Sequence, residues 1–377
     1  MNRETQMKLD FEHATRNLVS DETMSYLKGK SGNIILFGAG KSGDYFQSLL
    51  EKYGIQASCY CDNSLMKQGS VKNGLPVYSY AEAETRYPGA TVCITSCYSF
   101  EIEKQLGGRG DILSVMNTCN WETSGGWTES DEASFIRKNY EKLDAVYHNI
   151  LKDDKSRAVM QGILNFRLTR NNAYISDIAD SKREYFDDSI IRGKPSINNF
   201  IDGGAWTGDT LDAFINWKNG RYVNVYCFEA ECETASILKK HIADKGYNNI
   251  TVFNNALWDR NQKIDFFNSN GSGGGYCLNE SGTSATITVN GVAADTMIKD
   301  PVDMVKLDIE GAEANALLGM KDIIRKNKPV LAVCIYHKQD DFITLPNLVL
   351  GIVPEYSIYF RQYMLTPFST VMYAIIE

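Results

Sequence analysis

The chain has 377 residues, 43% hydrophobic and 23% charged, with a formal net charge of −8. These are ordinary globular proportions; the acidic balance argues against nucleic acid as partner, and no apolar run approaches the ~20 residues needed to span a bilayer. Residues 1–17 lack the apolar core of a secretory signal, and nine cysteines without a CxxC pair read as small buried hydrophobes, so a cytoplasmic enzyme with no membrane partner and no metal is expected.

A smaller Rossmann-like α/β domain is expected over residues 1–120. After a polar, helical opening, NIILFGAGKSGDYFQSLLEKYG reads as strand, glycine turn and helix. Gly38, Gly40 and Gly43 form a G-x-G-x-x-G pattern in the strand-to-helix context that the motif needs. Tyr45, Phe46, Leu49, Leu50 and Tyr53 repeat at helical spacing. IQASCYCDN is the next strand, ending at Asp62, and ATVCITSCY is a later one. This alternation predicts a parallel sheet. Lys41 sits in a turn without acids, which suits a phosphate at the helix N-terminus, and Asp62 falls where a ribose hydroxyl would lie. Gly38, Gly40, Lys41, Gly43 and Asp62 are therefore a candidate nucleotide site. The competing reading is a turn kept for packing or homodimerisation.

Residues 121–195 read as a helical bridge and lid. SDEASFIRKNYEKLDAVYHNIL carries apolar residues at Phe135, Ile136, Leu143, Val146, Tyr147 and Ile150, and SRAVMQGILNFRLT continues as a second helix.

Residues 196–377 hold the most informative elements. FIDGGAWTGDT is a strand, a glycine turn and a helix start, with Gly203, Gly204 and Gly208 flanked by Asp202 and Asp209. Two acids there repel a pyrophosphate and favour a cationic, amino-acid-bearing ligand. VNVYCFEAE is a second strand ending in Glu229, placed to accept ribose hydroxyls. ITVFNNALWD ends a third with Asn254 and Asn255, and Trp258 beyond them suits an adenine wall. VDMVKLDIEGAE brings Asp308 and Glu310 to a fourth strand end, and VLAVCIYHK brings His337 to a fifth. Ser269–Gly282 reads as a glycine–serine loop between strands.

FIDGGAWTGDT, CFEAE, NNALWD, VKLDIEGAEANALLG, IYHKQDDFITLP and YSIYFRQY resemble, in order and spacing, the FkbM family of S-adenosylmethionine-dependent methyltransferases. The resemblance runs from about Asn139 to the end. It implies a class I (Rossmann-like) methyltransferase fold with a seven-stranded, mostly parallel sheet, S-adenosylmethionine as cofactor, and a hydroxyl acceptor on a small molecule or glycan, often a sugar. It places the cofactor on Asp202, Gly203, Gly204, Ala205, Gly208, Asp209, Glu229, Asn255, Ala256 and Asp308. Trp206 departs from the family, which more often has a smaller or polar residue there.

The expected catalytic residues are His337, Asp308 and Glu310. A histidine titrating near neutrality is a natural general base for an acceptor hydroxyl, and Asp308 either orients it or takes the proton. Glu313 reads as a helix-start charge. Arg361 reads equally as a substrate contact or a surface residue. Two alternatives stay open: an NAD(P)- or sugar-nucleotide-binding oxidoreductase or epimerase built on the first domain, and a non-catalytic sugar-nucleotide-binding protein.

Overall fold

The computed structural model describes residues 6–12, 14, 21–96, 99–107, 109, 111–114, 129–169, 173–180, 184–191, 196–267, 277–278, 286–365 and 367–377. It divides into two compact units, one of residues 9–137 and 165–172 and the other of 1–8, 138–164 and 173–377. The stretch 121–195, read above as a bridge, is shared between them.

The smaller unit runs α1 (Asp21–Lys28), β1 (Ile34–Phe37), α2 (Lys41–Lys52), β2 (Cys59–Cys61), β3 (Val71–Lys72), β4 (Leu75–Tyr78), α3 (Tyr80–Arg86), β5 (Thr91–Ile94), α4 (Ser99–Leu106), β6 (Ile112–Ser114) and α5 (Glu129–Lys138). Its sheet has the order β3-β4-β2-β1-β5-β6, parallel apart from the β3–β4 pair. Every residue of β1, β2 and β5 is buried, as strands covered on both faces require.

The larger unit holds α6 (Tyr140–Ala145), a π-helical turn at Val146–Ile150, α7 (Asp154–Thr169) up to Leu164, and α8 (Ala173–Ser176). Then come β7 (Asn199–Gly203), α9 (Asp209–Trp217), β8 (Asn224–Phe228), α10 (Cys232–Lys245) and β9 (Ile250–Phe253). A small sheet follows, from β10 (Ala256–Leu257), β11 (Gln262–Phe267), β12 (Cys277–Leu278) and β13 (Thr286–Val292). The chain returns through α11 (Ala294–Met297), β14 (Met304–Leu307), α12 (Glu313–Gly319), α13 (Lys321–Asn327), β15 (Val330–Cys334), α14 (Asp341–Ile352), β16 (Ser357–Gln362) and β17 (Thr370–Ile375). Apart from β12, the glycine–serine stretch lies outside the described residues.

The main sheet has the expected seven strands, ordered β16-β17-β15-β14-β7-β8-β9. It is parallel from β15 to β9, and β17 runs antiparallel to both β15 and β16. The chain leaves β7 toward β8 and β9, then crosses to β14 on the other side of β7. That reversal makes a crevice beyond the carboxyl ends of β7 and β14, where open α/β sheets take their ligands. Under it, Phe200 stacks on Phe214 at 4.5 Å and Phe186 on Trp217 at 5.2 Å. All four rings are essentially inaccessible, so the strands and the segment before β7 are anchored to one core.

Candidate active site

Two charged residues are built into the centre of the sheet. Asp202 on β7 and Lys306 on β14 are in register, both buried, with Lys306 Nζ 3.1 Å from Asp202 Oδ1. Nζ also donates to the carbonyls of Gly203 and Gly204, at 3.1 and 2.8 Å. Burial pushes the Asp202 carboxyl upward and Lys306 opposes it. Removing one member of such a pair typically costs about 3–5 kcal/mol. Asp202 is thus a buried partner of Lys306 rather than an acid flanking the ligand. The clue in the sequence was a lone lysine and a lone aspartate at matching depth in two apolar strands.

The turn after β7 is fixed by contact with the end of β14. Gly204 has φ +77°, and a Cβ there would stand 1.9 Å from the Asp308 carbonyl oxygen, so no side chain fits. The Gly204 and Ala205 amides both donate to the Phe228 carbonyl at 3.0 Å. At the tip, Trp206 is held at φ +43° and is half exposed. Its amide donates to Glu229 Oε2 at 3.0 Å, and the Glu231 amide to Oε1 at 2.9 Å. Burial raises the Glu229 carboxyl against these two amides. Each oxygen keeps acceptor capacity beyond its one amide, so the residue can still receive hydroxyls. Asp209 is exposed at the start of α9.

The third strand end is arranged differently from expectation. Asn254 donates to the carbonyls of Glu229 and Ala230, at 2.9 and 3.1 Å, which ties β9 to β8. Asn255 donates to Asn290 O at 3.3 Å, and Ala256 pairs with Gly291. Both therefore engage the small sheet.

Beyond β14 and β15 lies a polar cluster. Asp308 accepts from Tyr185 Oη at 3.1 Å and Tyr336 Oη at 2.9 Å. Burial pushes its carboxyl up, but Lys306, His337 and Tyr336 outweigh that and hold it below the usual range. His337 lies with Nε2 3.4 Å from Asp308 Oδ1 and 3.8 Å from Glu310 Oε2, and with Nδ1 3.0 Å from Glu313 Oε1. Burial alone would lower its pKa, yet Glu313, Glu310 and Asp308 raise it to about 10. The imidazole is therefore a cation at neutral pH. This corrects the expectation that His337 is the general base, because an imidazolium has no lone pair for a proton. Glu313, read above as a helix-start charge, is buried against it and also accepts the Ile309 amide at 3.0 Å. Glu310 sits in the left-handed region at φ +57° with its side chain 38% exposed.

Thus the glycine turn, Glu229, Asp308, Glu310 and His337 come to one edge of the sheet. Glu184, Tyr185, Lys306, Glu313 and Tyr336 join them without having been foreseen. Arg361 lies elsewhere, buried on Asp153 and the Ser156 hydroxyl at 2.6 and 3.0 Å. It is neither a substrate contact nor a surface residue. In the smaller unit, Gly40 opens on clear space, whereas a Cβ at Gly38 would stand 2.6 Å from Thr95 O and one at Gly43 2.3 Å from Gly38 O. Asp62 accepts from the Ala39 and Ser64 amides at 2.9 Å each and from Lys67 at 3.0 Å.

Residues 202–364 match the model of the methyltransferase FkbM domain. A crystal structure of methyltransferase FkbM from Methylobacillus flagellatus KT aligns over 94% of this chain and 94% of that one, with TM-score 0.67 and 20% identity, a likeness of fold. A crystal structure of an rRNA methylase from Streptococcus thermophilus aligns over 55% of this chain and 94% of that one, with TM-score 0.32 and 13% identity. No curated protein matches the chain.

Proposed function

We infer, from the FkbM methyltransferase domain that this chain carries at residues 202–364, that it transfers a methyl group from S-adenosylmethionine to a hydroxyl of a small molecule or glycan. The observation that carries this reading is Glu229, held by the Trp206 and Glu231 amides beside the Gly204–Gly208 turn. The site's chemistry suits the donor. Asp209, Asp308, Glu310 and Glu313 outnumber the His337 imidazolium, and Lys306 is already committed to Asp202, so a ligand with positive charge is favoured.

When bound, S-adenosylmethionine supplies an electrophilic methyl group on a sulfonium. The protein's part is to hold an acceptor oxygen in line and to receive its proton. Asp308 is engaged on both oxygens by tyrosine hydroxyls, which lowers its basicity. Glu310 is more exposed, so it is the better placed acceptor of the proton. The His337 imidazolium positions both carboxylates.

Calorimetric titration with S-adenosylhomocysteine and, separately, with NAD(H) tests the reading. Heat of binding with S-adenosylhomocysteine and none with NAD(H) is expected. The reverse result would favour an oxidoreductase.

A further inference from the structure

Of Trp206, the site uses only the amide, which donates to Glu229 Oε2 at 3.0 Å. The indole is the large side chain that the turn after β7 sends outward. Ala205 is fully buried, and Gly208 is packed beneath the turn, where a Cβ would stand 2.9 Å from His241 and 3.0 Å from Leu238 of α10. Trp206 instead keeps 49% of its surface exposed. A tryptophan buries most of its surface in an ordinary fold. A bulky side chain at φ +43° is also uncommon, and asparagine or glycine would sit there more easily.

The amide bond fixes where the indole begins. Its Cβ lies about 2.5 Å from its own amide nitrogen, and that nitrogen touches the Glu229 carboxylate. The indole therefore starts within about 6 Å of Oε2 and extends about as far again. Glu229 is only partly buried, so a ligand reaches it from solvent, on which the indole also opens. The Glu231 amide holds Oε1 at 2.9 Å, so the carboxylate is fixed in place beside the ring. A molecule hydrogen-bonded to Glu229 lies within reach of the indole.

Resting on the donor reading above, we propose that the Trp206 indole packs against the ribose of the donor while Glu229 accepts its hydroxyls. The two groups divide the sugar by chemistry. The carboxylate takes the O–H edge, and the indole takes the C–H surface, which removes exposed ring from water. Trp206 is then a donor-binding residue through its side chain as well as a support for Glu229 through its amide.

The full chain, as wild type, Trp206→Asn and Trp206→Phe, is titrated with S-adenosylhomocysteine and with 5′-methylthioadenosine, which keeps the ribose but lacks the aminoacyl end. Asparagine keeps the amide and tolerates positive φ, so Trp206→Asn should melt no lower than wild type. It should bind both ligands about 5- to 20-fold more weakly, as the loss of apolar contact with one face of a ring implies. Trp206→Phe should recover most of the affinity. Tryptophan emission present in wild type and missing from Trp206→Phe should become shielded from acrylamide when S-adenosylhomocysteine binds, a comparison that does not depend on how Trp206→Asn folds. Unchanged affinity in Trp206→Asn, a loss confined to S-adenosylhomocysteine, a melting temperature that falls with the affinity, or emission that stays open to acrylamide overturns the assignment while leaving the donor reading intact. If S-adenosylhomocysteine does not bind wild type at all, both fall.

Discussion

The 3.0 Å contact between Glu313 and His337 Nδ1 sets the charge of the site. With a pKa near 10 in the fold against an ordinary 6.5, the imidazole keeps a proton that the unfolded chain has lost. Its contribution to stability is therefore whole below pH 6.5 and disappears as pH rises through 10. His337→Gln should destabilise by about 3–5 kcal/mol near pH 6.5, because Glu313 is left buried without its partner. The gap between wild type and variant in chemical denaturation should close by about pH 10. A gap independent of pH would mean the imidazole is uncharged. For Glu229→Ala, loss of a charged acceptor should cost about 1.5–3 kcal/mol, which weakens S-adenosylhomocysteine by about 10- to 150-fold. Unchanged affinity would remove Glu229 from the donor site. The residues that sequence placed correctly at this edge, such as Glu229 and His337, stand at strand ends, which periodicity and turn chemistry reveal. Those it missed meet their partners through the fold. Tyr185 reaches Asp308 across 123 positions of chain, and a helix-start glutamate looks the same in sequence whether it faces water or a buried histidine.

At the scale of elements, the turn after β7 depends on two backbones passing in contact. Gly204→Ala would drive a Cβ to 1.9 Å from the Asp308 carbonyl, parting β7 from β14 where the site is built. Gly220, also at positive φ (+71°), opens on clear space, so Gly220→Ala pays only the conformational cost of about 1–2 kcal/mol. Thermal unfolding and S-adenosylhomocysteine titration of both variants should separate them. Gly204→Ala should lose binding and melt well below Gly220→Ala, which keeps wild-type affinity; equal behaviour would refute the close-contact account. The five parallel strands of the larger unit were legible because each is an apolar run ending in a polar group. The small sheet was legible only in part, as the strands flanking residues 269–282, which are β11 and β13. Its β10 is two residues long, too short for any period, so Asn255 read as the end of the third strand although it bonds Asn290 of β13 and is followed by Ala256, which pairs with Gly291 of β13.

At the scale of the whole molecule, each unit has a glycine turn whose amide grips the acid at the end of its second strand: Ala39 on Asp62, and Trp206 on Glu229. In sequence the two turns already differ in charge, with Lys41 in the first and Asp202 and Asp209 flanking the second. The gripped acids differ as well. Asp62 is held below its ordinary pKa: burial raises it, but the Ser64 amide, Lys67 and the Ala39 amide outweigh that. Its charge is met within the protein by Lys67, which shares Oδ2 with the Ala39 amide. Glu229 receives two amides without an ion pair to a lysine or arginine among the described residues, and it lies above its ordinary pKa. The expected outcome is that S-adenosylhomocysteine at 100 times its Kd stabilises the full chain by about 2.7 kcal/mol. NAD, NADP and UDP- or GDP-sugars at matched concentrations should leave the melting temperature unchanged, in wild type and in Lys41→Glu alike. The open face before Gly40 is where a contrary result would arise. If a dinucleotide or sugar nucleotide raises the melting temperature and Lys41→Glu abolishes the shift, the smaller unit holds a phosphate at the start of α2, and the chain has a second ligand to account for.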